Sequence, residues 1–216
     1  MKDLNAIGKN YFGKIKANLG FKSDYAKSFK DGNEVYYKEM FDTRLSIHDD
    51  LINFIKSRRV DTVCEIGCST GNYPIRFSQV FDNIHYTGID ISPKSIQYCK
   101  EHSDFEFICA DFLKMSIERK FDLVFSMGVI DHVYDVDLFI SNIVKATKKY
   151  AYINSYRGYF PNLEKHKMQW VDSDGIYYND LSISQITKLL FDEKLNQDEF
   201  SIRPIKRKDS TNHIEL

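Results

Sequence analysis

Proline, tryptophan and cysteine are scarce in this chain, and it carries almost no net charge. Four prolines and one tryptophan stand among 216 residues, and no proline-rich linker, low-complexity tract or internal repeat is visible. Four cysteines are too few for a disulfide framework, so reduced thiols in a cytoplasmic protein are expected. Thirty basic residues against 31 acidic ones leave a net charge of −1. That balance argues against a binder of nucleic acid. No apolar run approaches the length of a membrane span. The opening MKDLNAIGKN is basic but lacks the apolar stretch of a signal peptide. What remains is a composition of 43% hydrophobic and 28% charged residues with 14 Tyr and 16 Phe. Such a chain folds around a core, and its length suits one domain spanning 1–216.

Three stretches differ in pattern. Residues 1–58 look helical: the first 30 carry seven Lys against two Asp, read as a solvated helix surface. Leu51, Ile52 and Ile55 recur at helical spacing, which predicts a helix over Thr43 to Ser57. Residues 59–154 alternate short apolar runs with helical patterns. The expected strands are Thr62–Ile66, Tyr86–Ile89, Phe105–Cys109, Asp122–Ser126 and Ala151–Asn154. The expected helices are Asn72–Gln79, Pro93–His102 and Val136–Thr147. Ser92 followed by Pro93 supplies a capping hydroxyl and a proline at the first helical position. Alternating strands and helices mean βαβ units, a mostly parallel sheet and helices on both faces. Residues 155–216 have weaker periodicity. DSDG at 172–175 is a turn signal, and Ser182 with Gln185 forms a capping box ahead of Ile186, Leu189 and Leu190. Strands near Glu199–Arg203 and His213–Leu216 complete the sheet.

The strongest local signal is VCEIGCSTGN, from Val63 to Asn72. An apolar strand ends in Glu65, and Gly67 and Gly71 follow before a helix. Glycines there allow a tight turn and close approach of the backbone to a ligand at a helix N-terminus. A dinucleotide fingerprint starting at Gly67 requires glycine at 69 and 72, where Ser69 and Asn72 stand. A P-loop requires Gly-Lys-Ser/Thr, which is absent. Asp90 ends the next strand in YTGIDIS, placed to accept bonds from ribose hydroxyls. Asp111 follows the third strand in CADF, and Met127, Gly128 and Val129 follow the fourth in FDLVFSMGVIDH. All four segments lie at the carboxyl ends of parallel strands, where such sheets bind ligands.

Together these segments resemble the motifs of class I S-adenosylmethionine-dependent methyltransferases. EIGCSTG resembles the acidic-x-G-x-G-x-G signature, with Ser69 in place of the usual middle glycine. GIDIS, CADF and FDLVFSMGVIDHV resemble the second, third and fourth motifs. The likeness is good over residues 45–154 and looser beyond. It implies an α/β, Rossmann-like sheet of seven strands, mostly parallel with an antiparallel last strand, under an N-terminal helical lid. It also implies S-adenosylmethionine as cofactor. Glu65, Gly67, Cys68 and Gly71 would cradle its methionine part, Asp90 would hold the ribose, Ile91, Asp111 and Phe112 would contact the adenine, and Met127 would lie near the sulfonium. The chain is further similar to small bacterial methyltransferases of surface-polysaccharide loci, including those that act on a capsular phosphoramidate.

Methyl transfer to a neutral hydroxyl needs a proton acceptor. His132, just past the fourth strand and beside Asp131, is the candidate base; the alternative is that it caps the next helix or packs on the cofactor. An anionic acceptor needs cations instead, and Arg44, Arg157, His166 and Lys167 lie in the segments expected to cover the pocket. Tyr37, Tyr156, Tyr159, Trp170 and Tyr178 are candidate pocket walls, together with Asp131. Aromatics are denser in 11–41 and 156–178 than along the chain as a whole, which marks these as acceptor-covering segments. No metal is expected: the cysteine spacings do not make a zinc site, and Asp131 with Asn154 fits a magnesium site poorly. The function expected is O-methylation of a small polar metabolite, sugar or capsular precursor. The alternatives are an RNA methyltransferase or a non-catalytic cofactor-binding subunit. An Asn/Asp-Pro-Pro-aromatic tetrad would favour RNA, but Ser126-Met127-Gly128-Val129 stands in its place.

Overall fold

The computed structural model describes residues 49–81, 83–203 and 213–215. Chain order runs α1 (Asp49–Lys56), β1 (Thr62–Ile66), α2 (Asn72–Val80), β2 (His85–Asp90), α3 (Pro93–His102), β3 (Glu106–Cys109), β4 (Phe121–Met127), α4 (Val136–Ala146) and β5 (Thr147–Asn154). Then come β6 (Tyr159–Phe160), β7 (Lys167–Val171), β8 (Ile176–Ser182), α5 (Ile183–Asp192), β9 (Ser201–Ile202) and β10 (His213–Glu215). Among the described residues the main sheet has the order β3-β2-β1-β4-β5-β10-β9. Strands β1 to β5 are parallel neighbours, and β10 runs antiparallel to β5. The order reverses at β1, whose two neighbours are β2 and β4. That switch point opens a crevice at the carboxyl ends of the strands.

The sheet buries both faces because its strands alternate. Val63, Leu123 and Phe125 point into one apolar cluster with Leu51, Ile55, Tyr73, Phe77, Ile96 and Cys99, which belong to α1, α2 and α3. Cys64, Ile66 and Val124 point the opposite way, into a cluster with Phe139, Ile140 and Ile143 of α4 and Ile186 and Leu190 of α5. Cys64 and Cys68 therefore lie in different clusters. Full burial of each large apolar side chain contributes about 1.5–3 kcal/mol. Helix α3 starts as its sequence predicts: Ser92 Oγ accepts the Ser95 backbone N–H at 3.2 Å, with Pro93 in the first turn. Asp135 caps α4 in the same way through Leu138 N at 3.0 Å.

The segment of weak periodicity is β-structured. A second sheet has the order β6-β8-β7, and β7 and β8 form a hairpin turning at Asp172–Gly175. Its strands escape a periodicity reading because β7 alternates only between exposed and partly exposed positions, whereas β8 is buried almost throughout. The expected capping box at 182–185 is half formed. Ser182 Oγ accepts from Gln185 N at 3.1 Å, but the Gln185 side chain turns to Asp137 and to the His166 N–H. Ser182 N donates instead to His166 Nδ1 at 2.9 Å. Helix α4 gives way to β5 at Thr147, so β5 starts four residues before the expected Ala151. Of the expected 43–57 helix, Asp49–Lys56 is seen; 43–48, Tyr37 and Arg44 lie outside the described residues. None of the helices described is long and apolar enough to cross a membrane.

Candidate active site

The loop after β1 is built from left-handed backbone. Gly67 has φ +80° and Gly71 φ +79°, and Ser69 adopts φ +47° without being glycine. Gly67 is required for a second reason: a Cβ there would come within 2.1 Å of Val129 Cγ2. The loop after β4 thus rests directly on the loop after β1. Three backbone donors tie this loop to β2. Gly67 N and Cys68 N reach the Ile89 carbonyl at 2.7 and 3.2 Å, and Ser69 N reaches Asp90 Oδ2 at 2.9 Å. Asp90 Oδ1 accepts from Ser92 N at 2.8 Å. Burial raises the Asp90 carboxyl above its usual range, while these donors oppose the shift. Three backbone donors, Ser69, Ser92 and Ile91, bear on a carboxylate with about four acceptor sites, which leaves room for a ligand hydroxyl.

Glu65 is 3% exposed and accepts the Tyr86 hydroxyl on Oε2. Burial pushes its carboxyl up to about 8, with the Tyr86 bond working against the shift. At neutral pH, Glu65 is mostly the neutral acid. A cation beside it would draw the proton off. Thr70 carries no mark in the sequence. Its Oγ1 is buried without a hydrogen-bond partner among the described residues. An orphaned hydroxyl within a loop of this shape is a vacant contact for a polar ligand.

Asp111 is engaged locally: Oδ1 accepts Leu113 N at 3.1 Å, and Oδ2 faces Tyr134 Oη at 3.3 Å. The Phe112 side chain turns into the core, its ring 5.7 Å from that of Phe139. Ile91 is partly buried beside the same cluster. Met127 closes β4 and packs partly against the other cluster.

Beyond β4, Asp131 is fully buried. Its Oδ1 accepts the Ser155 hydroxyl at 2.5 Å and Arg157 N at 3.3 Å, and its Oδ2 accepts Tyr156 N at 3.1 Å. Burial raises this carboxyl to about 6 against the pull of those donors. Asp131 therefore pins the turn after β5 to the loop after β4. The neighbouring His132 faces the other way. Its Nδ1 lies 2.9 Å from the Tyr177 carbonyl oxygen, and the Tyr156 hydroxyl meets its Nε2. Burial lowers the imidazole below its usual value, with the Tyr177 carbonyl opposing. A carbonyl oxygen only accepts, so in the neutral ring the proton sits on Nδ1, toward Tyr177.

The candidate pocket walls divide. The Tyr178 ring meets His132 edge-on at 5.1 Å, and Tyr156 is exposed. Trp170 stacks edge-on against Tyr177 at 5.1 Å. Tyr159 is core, 1% exposed, with its hydroxyl on the Ile153 carbonyl at 2.9 Å. Among the candidate cations, Arg157 is held by Asp180 Oδ1 at 2.6 and 3.1 Å. The His166 side chain is buried between Ser182 N and Asp137, and Lys167 is exposed on β7.

A family model described as a methyltransferase domain matches residues 58–199. Pavine N-methyltransferase of Thalictrum flavum is 24% identical over 135 residues, covering 60% of this chain and 35% of that one. A ubiquinone biosynthesis O-methyltransferase of Pelagibacter ubique is 29% identical over 114 residues, covering 48% and 47%. The chain thus spans about a third to a half of the length of these curated relatives. Among solved structures, the fold is similar to that of 1,6-didemethyltoxoflavin-N1-methyltransferase of Burkholderia thailandensis, which has 1,6-didemethyltoxoflavin and S-adenosylhomocysteine bound. The TM-score is 0.59 at 14% identity, over 93% of this chain and 87% of that one.

Proposed function

We propose, because this chain belongs to the methyltransferase domain family, that it transfers a methyl group from S-adenosylmethionine to a hydroxyl of a small polar acceptor. The observation that carries the cofactor reading is the loop 67–71: left-handed backbone tied to Asp90, with the Thr70 hydroxyl buried and unpaired beside it. These residues fit the cofactor. The loop backbone and Thr70 would take its methionyl end, with Glu65 behind them available to balance an ammonium. Asp90 would take the ribose hydroxyls. When bound, the cofactor supplies an electrophilic methyl on a sulfonium.

The chain's own part in the reaction is alignment and proton removal. His132 Nε2 is the acceptor for the proton of the attacking hydroxyl, and the Tyr177 carbonyl orients the ring so that Nε2 carries the lone pair that now takes the Tyr156 hydroxyl. Asp131 is a positioning residue that holds Tyr156 and Arg157 near His132. The acceptor class favoured is a neutral hydroxyl compound, such as a sugar or a capsular-type precursor, able to lie against Tyr178. A phosphoramidate-type anion is less well served, because Arg157 is already neutralised by Asp180.

The test is incubation of the full chain with methyl-labelled S-adenosylmethionine and a panel of sugars and phenols. The expected result is label in an O-methyl product that is lost with His132→Asn. Label on nitrogen, or transfer unaffected by His132→Asn, contradicts the hydroxyl and base assignments.

A further inference from the structure

Tyr156 is the most exposed of the large apolar side chains described, at 53%. Its root is nevertheless fixed, because its backbone N–H is held by Asp131 Oδ2. The ring leans across Gly128, where the first carbon of a side chain would come within 3.2 Å of Cδ1. The hydroxyl ends on His132 Nε2. A carbonyl oxygen can only accept, so the contact of Nδ1 with Tyr177 O gives Nδ1 the proton of the neutral ring and leaves Nε2 a lone pair. Tyr156 is then the donor, and a phenol in contact with solvent stands on the nitrogen assigned to the acceptor.

We infer that Tyr156 is a displaceable stopper on the acceptor seat, its hydroxyl standing where the hydroxyl of a neutral, flat-faced acceptor docks on His132 Nε2. The inference rests on the methyl-transfer reading for the chemistry after docking. The seat selects an uncharged donor because its surroundings are already paired. Arg157 is held by Asp180, and the Tyr178 hydroxyl donates to Asp174 at 2.8 Å. The flat face is selected by Tyr178, whose ring lies edge-on to the imidazole at 5.1 Å, and by the space of the Tyr156 ring, 5.5 Å from the imidazole, which the acceptor takes over. A single neutral hydrogen bond is worth at most about tenfold in an equilibrium, so an incoming hydroxyl can exchange with it. Tyr156 is thus a specificity-determining residue: an acceptor must replace both its donor and its ring.

Free phenol is a chemical copy of the group to be displaced and serves as the probe. The six histidines are labelled with nitrogen-15 in the full chain, and the His132 signals are assigned by their loss in His132→Gln. Phenol is then titrated into wild type, Tyr156→Ala and Tyr156→Phe, each with and without S-adenosylhomocysteine. The expected result is a shift of the His132 Nε2 signal and phenol binding up to about tenfold tighter in Tyr156→Ala than in wild type. Tyr156→Phe, which keeps the ring, falls between them. Equal or weaker binding in Tyr156→Ala overturns the inference, as does binding that leaves His132 unmoved. If S-adenosylhomocysteine fails to bind while phenol still prefers Tyr156→Ala, the seat stands and the methyl-transfer reading falls.

Discussion

The Ser69 backbone N–H donates to Asp90 Oδ2 at 2.9 Å, joining the loop after β1 to the end of β2 across 21 positions of sequence. One carboxylate therefore sets the shape of the candidate cofactor loop before any ligand arrives, since its other oxygen is fixed by Ser92 N. Preorganisation of this kind lowers the ordering cost of binding.

Ser69 holds φ +47°, a conformation that costs a residue with a Cβ about 1–2 kcal/mol. Ser69→Gly removes that strain but loosens the unfolded chain, so a net gain of about 0.5–1 kcal/mol is expected. Denaturant unfolding of the two proteins measures it. A loss of stability would show that the serine side chain has a stabilising contact.

Thr70→Val is expected to separate stability from binding. Removing a buried, unpaired hydroxyl with little change of shape is neutral or stabilises the free protein by about 1 kcal/mol. The same change removes the contact proposed for the cofactor, so S-adenosylhomocysteine should bind several-fold more weakly, by about the value of one hydrogen bond. Thermal unfolding with and without the ligand reads both effects. Unchanged affinity would remove Thr70 from the site.

Glu65 gives a pH dependence with a defined sign. Its carboxyl is raised in the folded chain from 4.5 to about 8, so the folded state keeps a proton that the unfolded state has lost. The stability from this group is full below about pH 4.5 and is lost as pH rises through about 8. Glu65→Gln retains an acceptor for the Tyr86 hydroxyl and has no proton to lose. Unfolding free energies measured from pH 5 to 8 should fall more steeply for wild type than for the variant. Parallel curves would contradict the assignment.

Asp131→Ala leaves the Ser155 hydroxyl and the Tyr156 and Arg157 N–H groups without their acceptor. A loss of about 3 kcal/mol or more is expected. Asp131→Asn should recover part of it. Hydrogen exchange at 155–158 should quicken in both variants, and protection left intact there would show that the turn is held by other contacts.

The sequence made the first half of the chain legible for a local reason. Strands β1 to β4 end at Ile66, Asp90, Cys109 and Met127, with Gly67, Asp111 and Gly128 within two residues of the first, third and fourth, so apolar runs and their turn residues coincide. Strands β7 and β8 were not legible, because their burial depends on distant partners. Asn179 is buried in mid-strand only because its amide reaches the Ile130 and Val133 carbonyls at 2.9 and 2.8 Å. Side-chain direction was equally hidden: Phe112 and Tyr159 are aromatics beside ligand loops, yet tertiary packing turns both into the core. Thr70 gave no signal, since an orphaned hydroxyl exists only once its neighbours are placed. The meeting of Tyr156 with His132 arises from β4 and β5 lying side by side, with Asp131 as the bridge between their ends.

Calorimetric titration of S-adenosylhomocysteine into wild type and Asp90→Ala tests the central claim most directly. Single-site binding to wild type is expected, with affinity weaker by about tenfold or more in the variant, which lacks the proposed ribose acceptor and the backbone bonds to Ser69 and Ser92. No binding to wild type, or binding of equal strength to Asp90→Ala, would contradict it.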